Sequence, residues 1–411
     1  MRFIYGFLVQ VSWWALHILA LFKKKINLFV SGRKKTFLHL KSGISEQDSI
    51  IWMHVASLGE YEQGLPILQR WKDLYPRHKF LLTFFSPSGF EVKKDDTPAD
   101  IVVYLPMDTL RNAKKFIKLV HPQLAIFVKY EIWPNYLGEL QKSNIPTLLI
   151  SAVFSKRQVF FKPWGGFMRH SLKAFTHFFV QDGKSKELLT SIGFENTTVS
   201  GDTRFERVSE ILKRDNNLKF MDSFKQNNFC FVAGSTWQED EEVILDFINH
   251  TPYNLKAVIA PHDIKKSHID RLVGGISKSV TLFSEIEGKD LSAVDVVVVD
   301  TIGILTKIYS YADIAYVGGG FATGLHNTLE PAVFGIPVII GPNYNGFKEA
   351  EDLVLEKGIY VVDKSSEFNS IMEGFLKDPH FRTRTGNIND QYISKNQGAS
   401  DLIIKHIQTL L

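Results

Sequence analysis

The sequence predicts an α/β protein: two Rossmann-like domains facing each other across a cleft, preceded by an N-terminal membrane-anchor helix. Three observations predict it. From about residue 50, short β-branched runs alternate with helical stretches, the pattern of parallel strands joined by crossovers. The pattern restarts near residue 229, which gives two successive α/β units of nearly equal length. In front of both, the twenty residues between Arg2 and Lys23 carry no charge.

That first stretch, "FIYGFLVQVSWWALHILALF", is just long enough to cross a bilayer as a helix, and Trp13 and Trp14 suit an interfacial position. Gln10, Ser12 and His17 interrupt it, so crossing the bilayer and lying in its interface both stay open, beside a buried core helix. No small-residue cleavage site follows, as a signal peptide would need. Eight lysines and arginines (Arg2, Lys23, Lys24, Lys25, Arg33, Lys34, Lys35, Lys41) precede the first acidic residue, Glu46. The triple lysine fits a cytoplasmic flank against anionic lipid. Residues 1–24 are therefore read as the anchor.

Six runs follow as candidate strands of a first domain, 25–200: "IIWMHV" (around 51–55), "KFLLTFF" (79–85), "IVVYLP" (101–106), "LAIFV" (124–128), "TLLISA" (147–152) and "HFFVQ" (177–181). Helical stretches such as "LRNAKKFIKLV" (110–120) separate them. A second set makes up 201–411: "FCFVAGS" (229–235), "LKAVIAP" (255–261), "VTLFS" (280–284), "VDVVVVD" (294–300), "IAYVGG" (314–319) and "PVIIGP" (337–342). The join falls near "TTVSGDTRFERV" (197–208), and the amphipathic "SDLIIKHIQTLL" (400–411) can pack on either domain.

Composition narrows the function classes. With 411 residues, 45% of them hydrophobic, a large core is available, and nothing in the chain is repetitive or of low complexity. The single cysteine, Cys230, lies in an apolar run and rules out an intramolecular disulfide or a cysteine-rich metal site. A net charge of +4, with the basic cluster beside an apolar segment, gives no support to nucleic-acid binding.

The chemistry-bearing residues gather at strand ends, where open α/β sheets place their ligands. In "HVASLGE", Glu60 follows a glycine at a strand-to-helix turn, and Glu131 in "YEIWPN" occupies the corresponding edge after another strand. Two glutamates at neighbouring strand ends suit acid/base work. Arg204 in "GDTRFER", with Lys129, Lys156 and Arg157, offers cations to an anionic substrate. In the second half, "YVGGGF" leads through Gly319 and Gly320 to His326, Asn327, Thr328 and Glu330. Glycine backbone there can approach a phosphate, and Glu330 can accept hydrogen bonds from a ribose. Gly234, Ser235 and Thr236 form a second strand–glycine–hydroxyl turn, for phosphate or simply for capping the next helix. Pro261 and His262 stand at a third strand end.

"HVASLGE", "YEIWPN", "GDTRFERV", "GSTWQEDE", "DTIGIL" and "GLHNTLEPAVFGIPVIIGP", in this order and over nearly the whole chain, resemble the 3-deoxy-D-manno-oct-2-ulosonic acid (Kdo) transferases. The resemblance implies a GT-B glycosyltransferase that moves Kdo from CMP-Kdo to a lipid A precursor of the lipid IVA type. It would work at the cytoplasmic face of a Gram-negative inner membrane, in lipopolysaccharide core biosynthesis. The first domain would take the acceptor, an anionic glycolipid, and the second CMP-Kdo. Glu60 would be the general base, with Glu131 and Arg204 stabilising the transition state. Pro261, His262, Thr301, Ile302, Gly303, Asn327, Thr328, Leu329 and Glu330 would hold CMP. Three departures stand out: Pro261-His262-Asp263 replaces the Pro-Arg-His of many members, Gly320 replaces a serine, and "SAVFSKRQ" (151–158) matches loosely. No Asp-x-Asp motif closes a strand, so neither metal nor other cofactor is expected. The alternatives are a GT-B enzyme using another nucleotide sugar, such as a UDP-hexosamine, and a non-catalytic membrane-bound lipid-binding protein.

Overall fold

A computed structural model describes residues 1–322 and 324–411. The chain divides into two units, Met1–Arg207 with Asn396–Leu411, and Val208–Lys395. In the first unit seven strands form one parallel sheet: β1 (Ile50–Val55), β2 (Lys79–Phe84), β3 (Ile101–Tyr104), β4 (Leu124–Val128), β5 (Thr147–Ala152), β6 (His177–Val180) and β7 (Thr197–Val199), in the order β3-β2-β1-β4-β5-β6-β7. Every residue of β1, β4 and β5 is buried, because helices cover both faces, which is why these strands read as unbroken apolar runs. The strand order reverses between β1 and β4, which opens a crevice at their carboxyl ends.

The N-terminal segment forms two helices, α1 (Arg2–Leu19) and α2 (Lys24–Gly43). One side of α1 docks on the first unit: the Tyr5 hydroxyl donates to Asp108 Oδ2 at 2.7 Å, and Trp13 packs near Phe29 with ring centroids 6.4 Å apart. The other side leaves Phe3, Phe7, Leu8, Val11, Trp14 and Ile18 exposed. Among the described residues no helix is long and apolar enough to cross a membrane. Arg33, one of the basic cluster in sequence, turns inward. Its guanidinium donates to the carbonyls of Phe29, Phe85 and Leu105, lies 3.5 Å from the Phe29 ring centroid, and has its pKa lowered to about 9 by burial.

The last helix, Ala399–Gln408, belongs to the first unit, where Ile403, Ile404 and Ile407 join the core with Ile51, Met53 and Leu148. The Glu206 carboxylate accepts from the amides of Gly398 and Ser400 and so caps its start.

The second unit repeats the plan with β8 (Phe229–Thr236), β9 (Leu255–Pro261), β10 (Val280–Leu282), β11 (Val296–Val298), β12 (Ile314–Val317), β13 (Val338–Ile340) and β14 (Ile359–Val361), all parallel in the order β10-β11-β9-β8-β12-β13-β14. Its reversal lies between β8 and β12. β14, three residues behind Gly358, is too short to stand out by periodicity.

Candidate active site

Helix α3 (Leu58–Leu74) starts where β1 ends. Ser57 caps it by accepting the Glu60 amide, while Glu60 Oε2 accepts the Ala56 amide at 2.5 Å. Glu60 thus works at the helix start, in a near-relative of the capping box. It is also 9% exposed, and burial, then the neighbouring Glu131 charge, push its pKa up to about 7; the Ala56 amide and Lys129 pull the other way. A cap alone would hold a carboxylate low, so the position of Glu60 favours proton exchange near neutrality.

Glu131 follows β4, across the strand reversal from Glu60. Its Oε2 lies 3.0 Å from His54 Nε2 and accepts the Trp133 indole N–H at 2.8 Å. His54 is fully buried in β1, opposite Thr83 of β2 and Phe127 of β4. Neither His54 nor the donor role of Trp133 is evident from motif spacing; the one signal for His54 is a polar residue inside an otherwise apolar strand. Lys129, directly after β4, sits at φ +59°, a conformation seldom adopted without a local demand. Asp108 accepts the amides of Asn135 and Tyr136 and fixes the helix after Trp133.

Arg204 is tied to the same end of the sheet. Its guanidinium forms an ion pair with Asp202 at 2.7 Å, and Asp202 also accepts from Gln63, one turn along α3 from Glu60. Tyr130, half-exposed, lies among Glu60, Asp182 and Asp202. Lys156 and Arg157 are exposed. The first unit therefore places Glu60 within the electrostatic reach of Glu131, which His54 and Trp133 hold, while Arg204 pairs with Asp202 and, through it, Gln63 of the helix that Glu60 begins.

In the second unit the ends of β8, β9 and β12 converge. Trp237 stacks on His262 (centroids 4.7 Å apart) and His262 on His326 (4.6 Å), while the Trp237 indole N–H reaches His326 Nε2 at 3.2 Å. Burial, then His262, lower the His326 pKa to about 4, so this ring stays neutral and able to accept. Asn327 donates to Glu330 and caps Leu329, and Glu330 also accepts from Thr306. Thr328 and Leu329 are buried, with no partner for the Thr328 hydroxyl among the described residues. Thr301, Ile302 and Gly303 form an exposed turn, Ile302 at 83%.

The phosphate-loop candidates fare differently. Asp240 Oδ2 already accepts the Gly319 amide (2.9 Å) and the Trp237 amide (2.8 Å), so Gly319 does not present a free donor. A side chain on Gly320 would meet the Gly341 backbone at 2.8 Å, and one on Gly234 would strike the Tyr309 hydroxyl. These glycines answer to packing. The Thr236 hydroxyl donates to Glu241, and the following helix, Gln238–His250, starts from Trp237 instead of a serine or threonine cap. Ser235 stands at φ +55°. Among the described residues no group of three or more His, Cys, Asp or Glu side chains is placed to hold a metal ion.

The family described as 3-Deoxy-D-manno-octulosonic-acid transferase (kdotransferase) matches residues 14–207. A 3-deoxy-D-manno-octulosonic acid transferase of Haemophilus influenzae is 26% identical over 378 residues, 88% of this chain and 87% of its own. One of Aquifex aeolicus is 29% identical over 324 residues, 77% and 83% of the two chains. Among solved structures, the UDP-GlcNAc 2-epimerase of Neisseria meningitidis, bound to UDP-GlcNAc, shares the fold with a TM-score of 0.63 at 15% identity, covering 88% of this chain and all (100%) of that one. Two parallel-sheet units and relatives that span most of the chain lead to one conclusion: the chain is a glycosyltransferase, similar over most of its length to the 3-deoxy-D-manno-octulosonic acid (Kdo) transferases.

Proposed function

We propose that the protein transfers Kdo from CMP-Kdo to a phosphorylated glycolipid of the lipid A precursor type, by a single displacement with inversion at the anomeric carbon. The observation that carries this reading is the Glu60–Glu131 pair at the β1/β4 reversal, with Glu60 poised near pH 7. Glu60 takes the proton of an acceptor hydroxyl as its oxygen bonds to the anomeric carbon. The bond from that carbon to the phosphate oxygen breaks, and CMP leaves with the electron pair. Arg204, already oriented by Asp202, offsets charge as it develops. Pro261, His262, the Thr301–Gly303 turn and Asn327–Glu330 bind the nucleotide, and no metal ion takes part. The outward apolar side of α1, followed by Lys23–Lys25, holds the enzyme on the cytoplasmic face of an inner membrane by lying in the interface.

The test is CMP release from CMP-Kdo by purified protein with a tetraacylated lipid A precursor, with UDP-N-acetylglucosamine as a parallel donor. Acceptor-dependent CMP release, lost in Glu60→Ala, is the expected result. Turnover of the UDP-sugar alone overturns the donor assignment, and full activity of Glu60→Ala overturns the mechanism.

A further inference from the structure

His54 has no part in the reaction as described, yet it is fully buried within the site and every polar atom of its ring is engaged. The Thr83 hydroxyl accepts the Trp52 indole N–H at 2.8 Å and stands 2.8 Å from His54 Nδ1, to which it can donate. The Thr83 carbonyl, 3.1 Å from the same nitrogen, accepts from it when the ring carries a second hydrogen. With hydrogen on Nε2, His54 donates to Glu131 Oε2 at 3.0 Å, and the Trp133 indole N–H, 3.1 Å from the same nitrogen, turns to the nearer carboxylate oxygen at 2.8 Å, an arrangement that gives Oε2 two donors. Glu60, by contrast, receives only backbone amides. The charged groups facing it are Glu131 and Lys129, with the Tyr130 phenol nearby.

We propose that His54 is a positioning residue, which through its Nε2–H ties the negative charge to Glu131 and so leaves Glu60 as the carboxylate that exchanges a proton with substrate. The inference rests on the catalytic reading of Glu60. A carboxylate that accepts two N–H donors ionises more readily, and two acids close together then lose their protons in separate steps. Without the His54 donor, Glu131 is free to swing toward Glu60, where its charge makes the proton that Glu60 must release harder to lose.

The experiment compares the pH dependence of kcat and KM in wild type, His54→Leu, His54→Gln and Glu60→Gln. His54→Leu is expected to lower kcat about 10- to 100-fold with KM held, and to move the acid limb up by about one pH unit. His54→Gln, whose amide N–H can take the place of Nε2–H, should restore the limb. If His54→Leu does not fold, Trp133→Phe removes the second donor from the same oxygen and should move the limb in the same direction. A limb unmoved in these variants, with Glu60→Gln inactive, overturns the inference and leaves the catalytic reading standing. Full activity of Glu60→Gln overturns that reading itself.

Discussion

Glu60 begins a helix with its carboxylate shut away from water, and that burial has a thermodynamic signature separate from catalysis. Its pKa rises from the ordinary glutamate range to about 7 on folding. The folded state therefore binds the proton more tightly, and the stabilising contribution is present at pH 4 and lost as pH climbs through 7. Glu60→Gln, which keeps the shape without the charge, should stabilise the protein at pH 8 by on the order of 2 kcal/mol and change little at pH 4, as calorimetry at the two pH values would show. The same substitution should cost about 10²–10⁴ in turnover. In the wild type kcat should rise with pH to a plateau above about 7, because the base works only when ionised. Of these residues the sequence discloses the glutamates, since each follows an apolar run and a turn. It does not disclose His54 or Asp202. Their partners, Glu131 and Gln63, stand 77 and 139 positions away and meet them only through the register of the sheet and the return of the chain at Gly201.

Strands fully buried on both faces are the elements most legible from sequence, and β1, β4 and β5 lie where their apolar runs predict. β7 and β14 are three residues each, and edge position leaves them no long apolar run to advertise themselves. Glycine-rich turns are legible as turns but not as to purpose. Gly320 approaches the Gly341 backbone so closely that a methyl group has no room, and neither side can rotate away. Gly320→Ala should therefore destabilise the second unit by about 1–3 kcal/mol in urea unfolding, with or without nucleotide present. The terminal helix makes the opposite point, since its amphipathic pattern is plain and its destination is not. Three isoleucines of that helix are buried in the first unit's core, each worth about 1.5–3 kcal/mol, so deleting residues 396–411 should leave the first unit open to limited proteolysis.

At the scale of the whole molecule, two α/β units were foreseeable from a pattern that stops and restarts, whereas their limits were not. The chain leaves the first unit inside the helix Arg204–Leu212 and comes back at Asn396, so one unit is assembled from two segments. Charge counting misjudged the N-terminus in one respect: Arg33 serves the interior, and the outward positive charge rests with the lysines. With Phe7 and Trp14 both changed to Asp, sedimentation with anionic phospholipid vesicles should fall sharply while the first unit keeps its melting temperature, since both side chains point to solvent.

Asp108 joins the N-terminal helix to the segment that follows Glu131: Oδ2 takes both the Tyr5 hydroxyl and the Asn135 amide. A helix fastened in this way fixes the height of the reacting groups above whatever surface it rests on, as a flexible leash would not. Under the proposed function, the search for a lipid acceptor runs in two dimensions, and velocity follows the acceptor's mole fraction in the surface instead of its bulk concentration. Adding inert detergent to mixed micelles at constant total acceptor should slow wild-type turnover, and removing residues 1–22 should erase that dependence.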